Sequence, residues 1–146
     1  MMVLTRTRPS FRQLQWLLPI AVTLHNLEEG IWLPAFVVAH RTELPWTVEP
    51  VEFRFALVVL TVAAWIVTYG SWRKGPKTLW AHLTFGSMVT ALVNVFVPHV
   101  PAAMIFRGYA PGMVTAVVVN LPVLTLLFIL AIRQRLFLGV RPWRSW

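Results

Sequence analysis

The stretch MVTAVVVNLPVLTLLFILAI, residues 113–132, holds no ionisable side chain and is interrupted only by Asn120, Pro122 and two threonines. A helix of ~20 such residues is ~30 Å long, the thickness of the hydrocarbon core of a bilayer. Working outward, three further segments share this character. Residues 79–97 are apolar apart from a few polar positions that include His82 and Asn94. Residues 53–72 carry no ionisable group after Arg54. Residues 14–38 are apolar except at His25-Asn26-Leu27-Glu28-Glu29. Backbone groups in hydrocarbon must be hydrogen-bonded internally. The expected architecture is therefore all-α: a four-helix transmembrane bundle forming one membrane domain over residues 1–146.

Composition agrees. The 146 residues are 58% hydrophobic and 12% charged, against ~25% charged in soluble domains. So few charges exclude a disordered chain. The absence of cysteine excludes a disulfide framework, thiol catalysis, covalent haem and Cys-based zinc or iron–sulfur sites. The net charge of +8 would suggest nucleic acid in a soluble protein; here it fits basic flanks around apolar spans.

The flanks also set an orientation. Arg6, Arg8 and Arg12, then Arg73, Lys74 and Lys77, then Arg133, Arg135, Arg141 and Arg144 fall on one side, and Arg41, Arg54 and Arg107 on the other. The positive-inside rule places both termini in the cytoplasm. Trp16, Trp72, Trp80 and Trp143 then lie near the inner boundary and Trp46 near the outer, as an aromatic belt. The first span reads as an uncleaved signal anchor. Gly86, Thr90 and Asn94, at four-residue steps, suggest a face for close helix approach. Pro34 and Pro122 free the carbonyls of Gly30 and Val118 and are expected to kink their helices.

The chemistry lies in the first span. At ~100° per residue, His25, Glu28 and Glu29 share one arc of ~100° and address one site. Each ionisable group in mid-membrane costs ~2.5–3.5 kcal/mol on insertion scales. Two neighbouring carboxylates also repel, and no Lys or Arg lies within a span core. Isolated polar residues in membrane helices often only hydrogen-bond to a neighbouring helix. Three on one arc call for a proton or a cation, and a divalent metal (zinc, iron or manganese) suits an imidazole with carboxylates. The expected ligands are His25, Glu28, Glu29 and His99, with Glu28 or Glu29 serving instead as the catalytic base.

Depth selects the companions. Asn120 lies at a similar depth in the outer half, while Asn94 and His99 are shallower. His82 is near the cytoplasmic end, offset from His25 by ~10 Å, and ranks below His99. Tyr109 and Arg107 precede the last span in Arg107-Gly108-Tyr109-Ala110-Pro111-Gly112. This reads as a turn with Pro near a helix start. Functionally, it places a phenol above the site and a cation for an anionic substrate or headgroup.

With these motifs in place the chain resembles the HXXEE family of small, mostly bacterial membrane proteins. The resemblance rests on His25-Asn26-Leu27-Glu28-Glu29, on Asn94 followed by His99, and on Tyr109-Ala110-Pro111-Gly112. Four residues separate Asn94 from His99, where the family pattern has three. The resemblance implies a bacterial inner-membrane protein and supports the site; it brings no reaction with it.

Three functions follow. The first is a membrane metalloenzyme acting on a lipid or another apolar small molecule. The spacing is not HExxH, so no peptidase is implied. A single acidic motif within the spans argues against a di-iron oxidase. The second is a proton- or cation-coupled carrier, for which four spans would require a homo-oligomer. The third is a non-catalytic subunit or assembly factor. Haem, nucleotide and nucleic-acid motifs are absent.

Overall fold

A computed structural model describes residues 9–44, 47–134 and 136. Among them every regular element is helical: α1 (Phe11–Leu14), α2 (Leu17–Ala39), α3 (Pro50–Lys74), α4 (Leu79–Asn94), α5 (Val100–Ile105), α6 (Met113–Thr115) and α7 (Leu121–Arg133). A kink at Val97, within Val95–His99, joins α4 to α5, and a wide, π-type turn, Ala116–Asn120, joins α6 to α7. The chain thus forms four long rods, as the all-α four-helix expectation requires.

Three rods, Pro50–Lys74, Leu79–Ile105 and Met113–Arg133, are long and apolar enough to cross a membrane. The remaining rod, α2, has the length at 23 residues. Its His25, Asn26, Glu28 and Glu29 keep it out of the apolar class. The outward faces are apolar too. On α3, Val51, Phe55, Val58, Leu60 and Ile66 are all more than half exposed. In water such a continuous surface would drive association; against lipid tails it is at home.

Local chemistry sets the ends. Ser10 and Gln13 form a reciprocal capping box on α1. Pro50 opens α3, where its missing N–H has no helical partner to lose. Gly75, at φ +82, ends α3, and Thr78 caps α4 through Ala81 N–H.

The core is narrow. Leu18, Met88, Leu124 and Leu127 are fully buried and pack with Phe11 and Ala131. Phe11 N–H donates to Gln134 Oε1 at 3.1 Å, tying the N-terminal helix to the end of α7. Trp16 lies 6.0 Å from Trp72 between ring centres, and the Arg12 guanidinium sits over Trp72. Trp80 packs on Gly70 close by. Of the expected charge and aromatic pattern, Arg6, Arg8, Trp46, Arg135, Arg141, Trp143 and Arg144 lie outside the described residues.

Two expectations about packing change. The α3–α4 approach does not use Gly86, which faces open space. It is made where Gly70 leaves no room for a Cβ beneath the Trp80 indole, and where Thr84 Oγ1 donates to Val67 O at 3.0 Å. Pro34 lies inside an unbroken α2. The Gly30 carbonyl it frees accepts from Arg54 Nε of α3 at 2.9 Å, so a neighbouring helix supplies the missing donor. Around Pro122 the distortion falls one turn earlier, in Ala116–Asn120.

Candidate metal centre

Three side chains from two rods converge inside the bundle. His25 and Glu29 are one turn apart on α2, and His99 comes from the kinked segment after α4. His25 Nε2 and His99 Nε2 are 3.2 Å apart. Glu29 Oε1 lies 3.7 Å from the first and 3.4 Å from the second. Asn94 brings its amide nitrogen to 2.8 Å from His25 Nε2 and 3.2 Å from His99 Nε2. His25 is 4% exposed and His99 2%, so bulk water does not solvate them.

The kink makes this possible. In a regular α-helix, His99 would be turned ~140° away from Asn94 five residues earlier. Val97 leaves the helical region (φ −140, ψ 113) and the chain bends there. Both side chains then face α2.

The Thr115 hydroxyl fixes which ring nitrogen of His25 faces the centre. Thr115 Oγ1 has one hydrogen. Glu28 Oε2 at 2.5 Å takes it in preference to the Gly112 carbonyl at 3.3 Å. The Thr115 oxygen therefore accepts from His25 Nδ1 at 3.0 Å. The His25 Nε2 lone pair then points inward, toward His99 Nε2 and the Glu29 carboxylate. In this arrangement the Asn94 NH2 group faces both Nε2 atoms. Turned over, the same amide would present its oxygen to the same place.

The distances suit a metal. Tetrahedral ligands at ~2.0–2.1 Å from a zinc ion are ~3.3–3.4 Å from one another. The edges from His25, His99 and Glu29 run from 3.2 to 3.7 Å. Among the described residues, this trio is the group of His, Cys, Asp and Glu side chains that can hold a metal ion.

Glu28 is placed differently from its neighbour. It accepts from Thr115 N–H and Tyr109 O–H, both at 2.8 Å, as well as from the Thr115 hydroxyl. Three donors hold it as a carboxylate that braces α2 against the last rod. The Tyr109 phenol, in the connecting loop, is pushed above its usual pKa by burial and by its bond to Glu28.

The other sequence candidates divide. Asn120 is 1% exposed and lines the cavity beside the centre with His25, Glu29 and Asn94. Arg107 is exposed, at φ +49, in the turn before α6. His82 sits in the first turn of α4, with Nδ1 2.8 Å from Thr78 O, away from the trio.

Two neighbours escaped sequence reasoning. Thr115 carries the His25–Glu28 link, and Gly112, at φ +85, lies against the trio itself. A Cβ there would strike His99 Cε1 and reach 3.0 Å from Glu29 Cγ and His25 Cε1. The signal was the Pro-Gly step in the turn with Thr115 three residues on. Asn26, inside the pentad, serves the scaffold: its amide donates to Thr61 Oγ1 at 2.7 Å and Leu57 O at 3.2 Å.

A cavity of about 440 Å³ adjoins the centre. It is lined by all four rods, with His25, Glu29, Asn94 and Asn120 among its polar residues, Asn26, Ser87 and Thr90 beside them, and an otherwise apolar wall.

The model of the family described as "Protein of unknown function with HXXEE motif" matches residues 16–127. A relative in Bacillus subtilis (strain 168), described as "Uncharacterized protein YrkK", is 32% identical over 103 residues. That alignment takes in 70% of this chain and 65% of the relative, just under two thirds of its length. No solved structure matches. With its pentad, its Asn94–His99 pair and its Tyr109–Gly112 turn all inside the matched region, the chain belongs to the HXXEE family.

Proposed function

We propose that this chain is an integral membrane metalloprotein of the bacterial inner membrane. In this reading His25, Glu29 and His99 hold one divalent metal, and the protein acts as a metal-dependent enzyme on a lipid or another apolar small molecule. One observation carries the reading: two buried imidazoles and one carboxylate, brought from two rods, hold one ligand atom each within 3.7 Å of one another. The Asn94 amide faces two of these atoms and not the carboxylate, so a positive species between the three is favoured in so desolvated a place.

A divalent metal bound there would act as a Lewis acid and bring the pKa of a coordinated water toward ~7. The chain's own residues do the rest. Glu28 and Thr115 keep the His25 proton on Nδ1. Glu29 lines the cavity beside His25, and, if it served as base and not as ligand, it would meet a proton on a substrate bound there. The apolar walls exclude water and suit an apolar substrate.

The orientation with both termini in the cytoplasm, and α2 as a fourth span, belong to the same reading. The partners it calls for are membrane lipid and an apolar small molecule, with self-association as a further possibility for the exposed α3 face.

Elemental analysis of detergent-purified protein tests this. The expected result is close to one zinc, iron or manganese per chain, lost in His25→Ala and Glu29→Gln. Metal-free protein that drives proton-gradient-dependent flux in liposomes would overturn it in favour of a carrier. Metal-free protein that co-purifies with one partner would overturn it in favour of a non-catalytic subunit.

A further inference from the structure

The cavity beside the trio has an unusual polar inventory. Asn120 is 1% exposed, its Oδ1 has no hydrogen-bond partner, and it lines this cavity. A buried amide oxygen without a partner is destabilising. The sequence accepts that cost within a turn that is itself distorted, Ala116–Asn120. A side chain left unpaired at the wall of a cavity is one whose partner arrives with a ligand.

The entrance shows where such a ligand comes from. At one end, α3 and α4 are locked together by Gly70 against Trp80 and by Thr84 on Val67. Further along, the space between Leu57–Ala64 of α3 and Ala91, Val93 and Asn94 of α4 with Val97 just beyond it belongs to the cavity. Its rim residues Leu60, Val93 and Val97 are 56–63% exposed and apolar. They lie part-way along rods long and apolar enough to cross a membrane. The mouth therefore opens sideways, toward hydrocarbon. Its volume of about 440 Å³ holds ~15 groups the size of a water molecule, at ~30 Å³ each. This is the bulk of one alkyl chain.

We infer that the cavity binds a single long-chain alcohol, entering from the bilayer between α3 and α4, with its hydroxyl on Asn120 and its chain against Leu57, Leu60 and Ala64. A hydroxyl can donate to the unpaired Asn120 Oδ1, and its oxygen then lies in the cavity that His25 and Glu29 also line. A pure hydrocarbon would leave Asn120 unsatisfied, and a carboxylate would face Glu29 with like charge. This names the substrate class for the metal-centre reading and rests on it only for the chemistry that follows binding.

The test uses a diazirine-bearing hexadecanol with the full-length protein in proteoliposomes, with metal content measured on the same preparations. Labelling is expected on the α3 and α4 peptides that carry Leu60 and Val97. Unlabelled hexadecanol should compete with it, and hexadecane should compete about tenfold less well, the worth of one buried hydrogen bond. Asn120→Leu should lose that preference while retaining metal. Ala64→Trp, at the cavity wall, should lose labelling altogether with the fold intact by circular dichroism. Equal competition by hexadecane, or an unchanged preference in Asn120→Leu, would overturn the proposal whatever the metal content. Hydroxyl-selective, Asn120-dependent labelling of metal-free protein would uphold it and sink the metal reading alone.

Discussion

His25 and His99 stand 74 positions apart in the chain and hold their Nε2 atoms 3.2 Å from one another. Neutral imidazoles placed this way share one proton at most between two lone pairs. An ion accepts both. His99→Ala and His25→Ala should each lower metal affinity by more than the ~10–100-fold typical of outer-shell changes. Titration against a chromophoric chelator measures this. Wild-type affinity in His99→Ala would remove His99 from the ligand set.

Thr115 is the hinge between the two glutamates' roles. Thr115→Val keeps the shape and removes the hydroxyl that accepts from His25 and donates to Glu28. Metal affinity should fall ~10–100-fold, as for other second-shell partners of a ligating histidine. Thr115→Ser should restore most of it. Equal affinities for all three would show that the His25 tautomer is set elsewhere.

Gly112→Ala meets two obstacles. Its φ of +85 disfavours any Cβ, and that Cβ would press on all three members of the trio. Destabilisation of ~1–3 kcal/mol is expected from the strained backbone alone. It should appear as a lower melting temperature in detergent together with lost metal. Gly86→Ala, which faces open space, is the control and should be near neutral.

Tyr109 offers a pH handle outside the spans. Burial and the bond to Glu28 raise its pKa above the usual ~10. A group whose folded pKa is raised binds its proton more tightly when folded. Its contribution to stability is therefore whole below ~10 and declines as pH rises past that point. In Tyr69→Phe protein Tyr109 is the remaining tyrosine, and its absorbance near 295 nm should stay flat through the range where a free phenol ionises. Ordinary titration near pH 10 would show that the Tyr109–Glu28 bond does not form in solution.

Arg54→Ala should cost ~1–2 kcal/mol by leaving the Gly30 carbonyl without its donor. Thermal unfolding of the detergent-solubilised protein reads this directly. Arg54→Lys should recover part of the loss, since an ammonium can reach a carbonyl without the fork geometry of a guanidinium.

Much of the site was legible because it depends on periodicity. The wheel of α2 puts His25 and both glutamates on one arc, and hydropathy alone delimits the long segments. What the wheel does not contain is the partner. Glu28 and Glu29 look alike in sequence, yet one meets Thr115 and Tyr109 while the other meets His99. That division is made by helices contributed from the far end of the chain. His99 looks shallow because depth was counted on an ideal helix, and Val97 breaks that ideal. Gly86 and Gly70 are both small residues on apolar helices. Only the indole of Trp80, supplied by another rod, decides which of them is needed.

The wide turn Ala116–Asn120 carries a consequence for how such a protein changes. It behaves as a helix into which one surplus position has been inserted, and one position turns everything beyond it by ~100°. Deleting one of Val117, Val118 and Val119 would leave a smoother, more regular rod of nearly the same length. It would also swing Asn120 off the interior. Loss of chemistry here need not involve any polar residue: shortening a run of valines is enough.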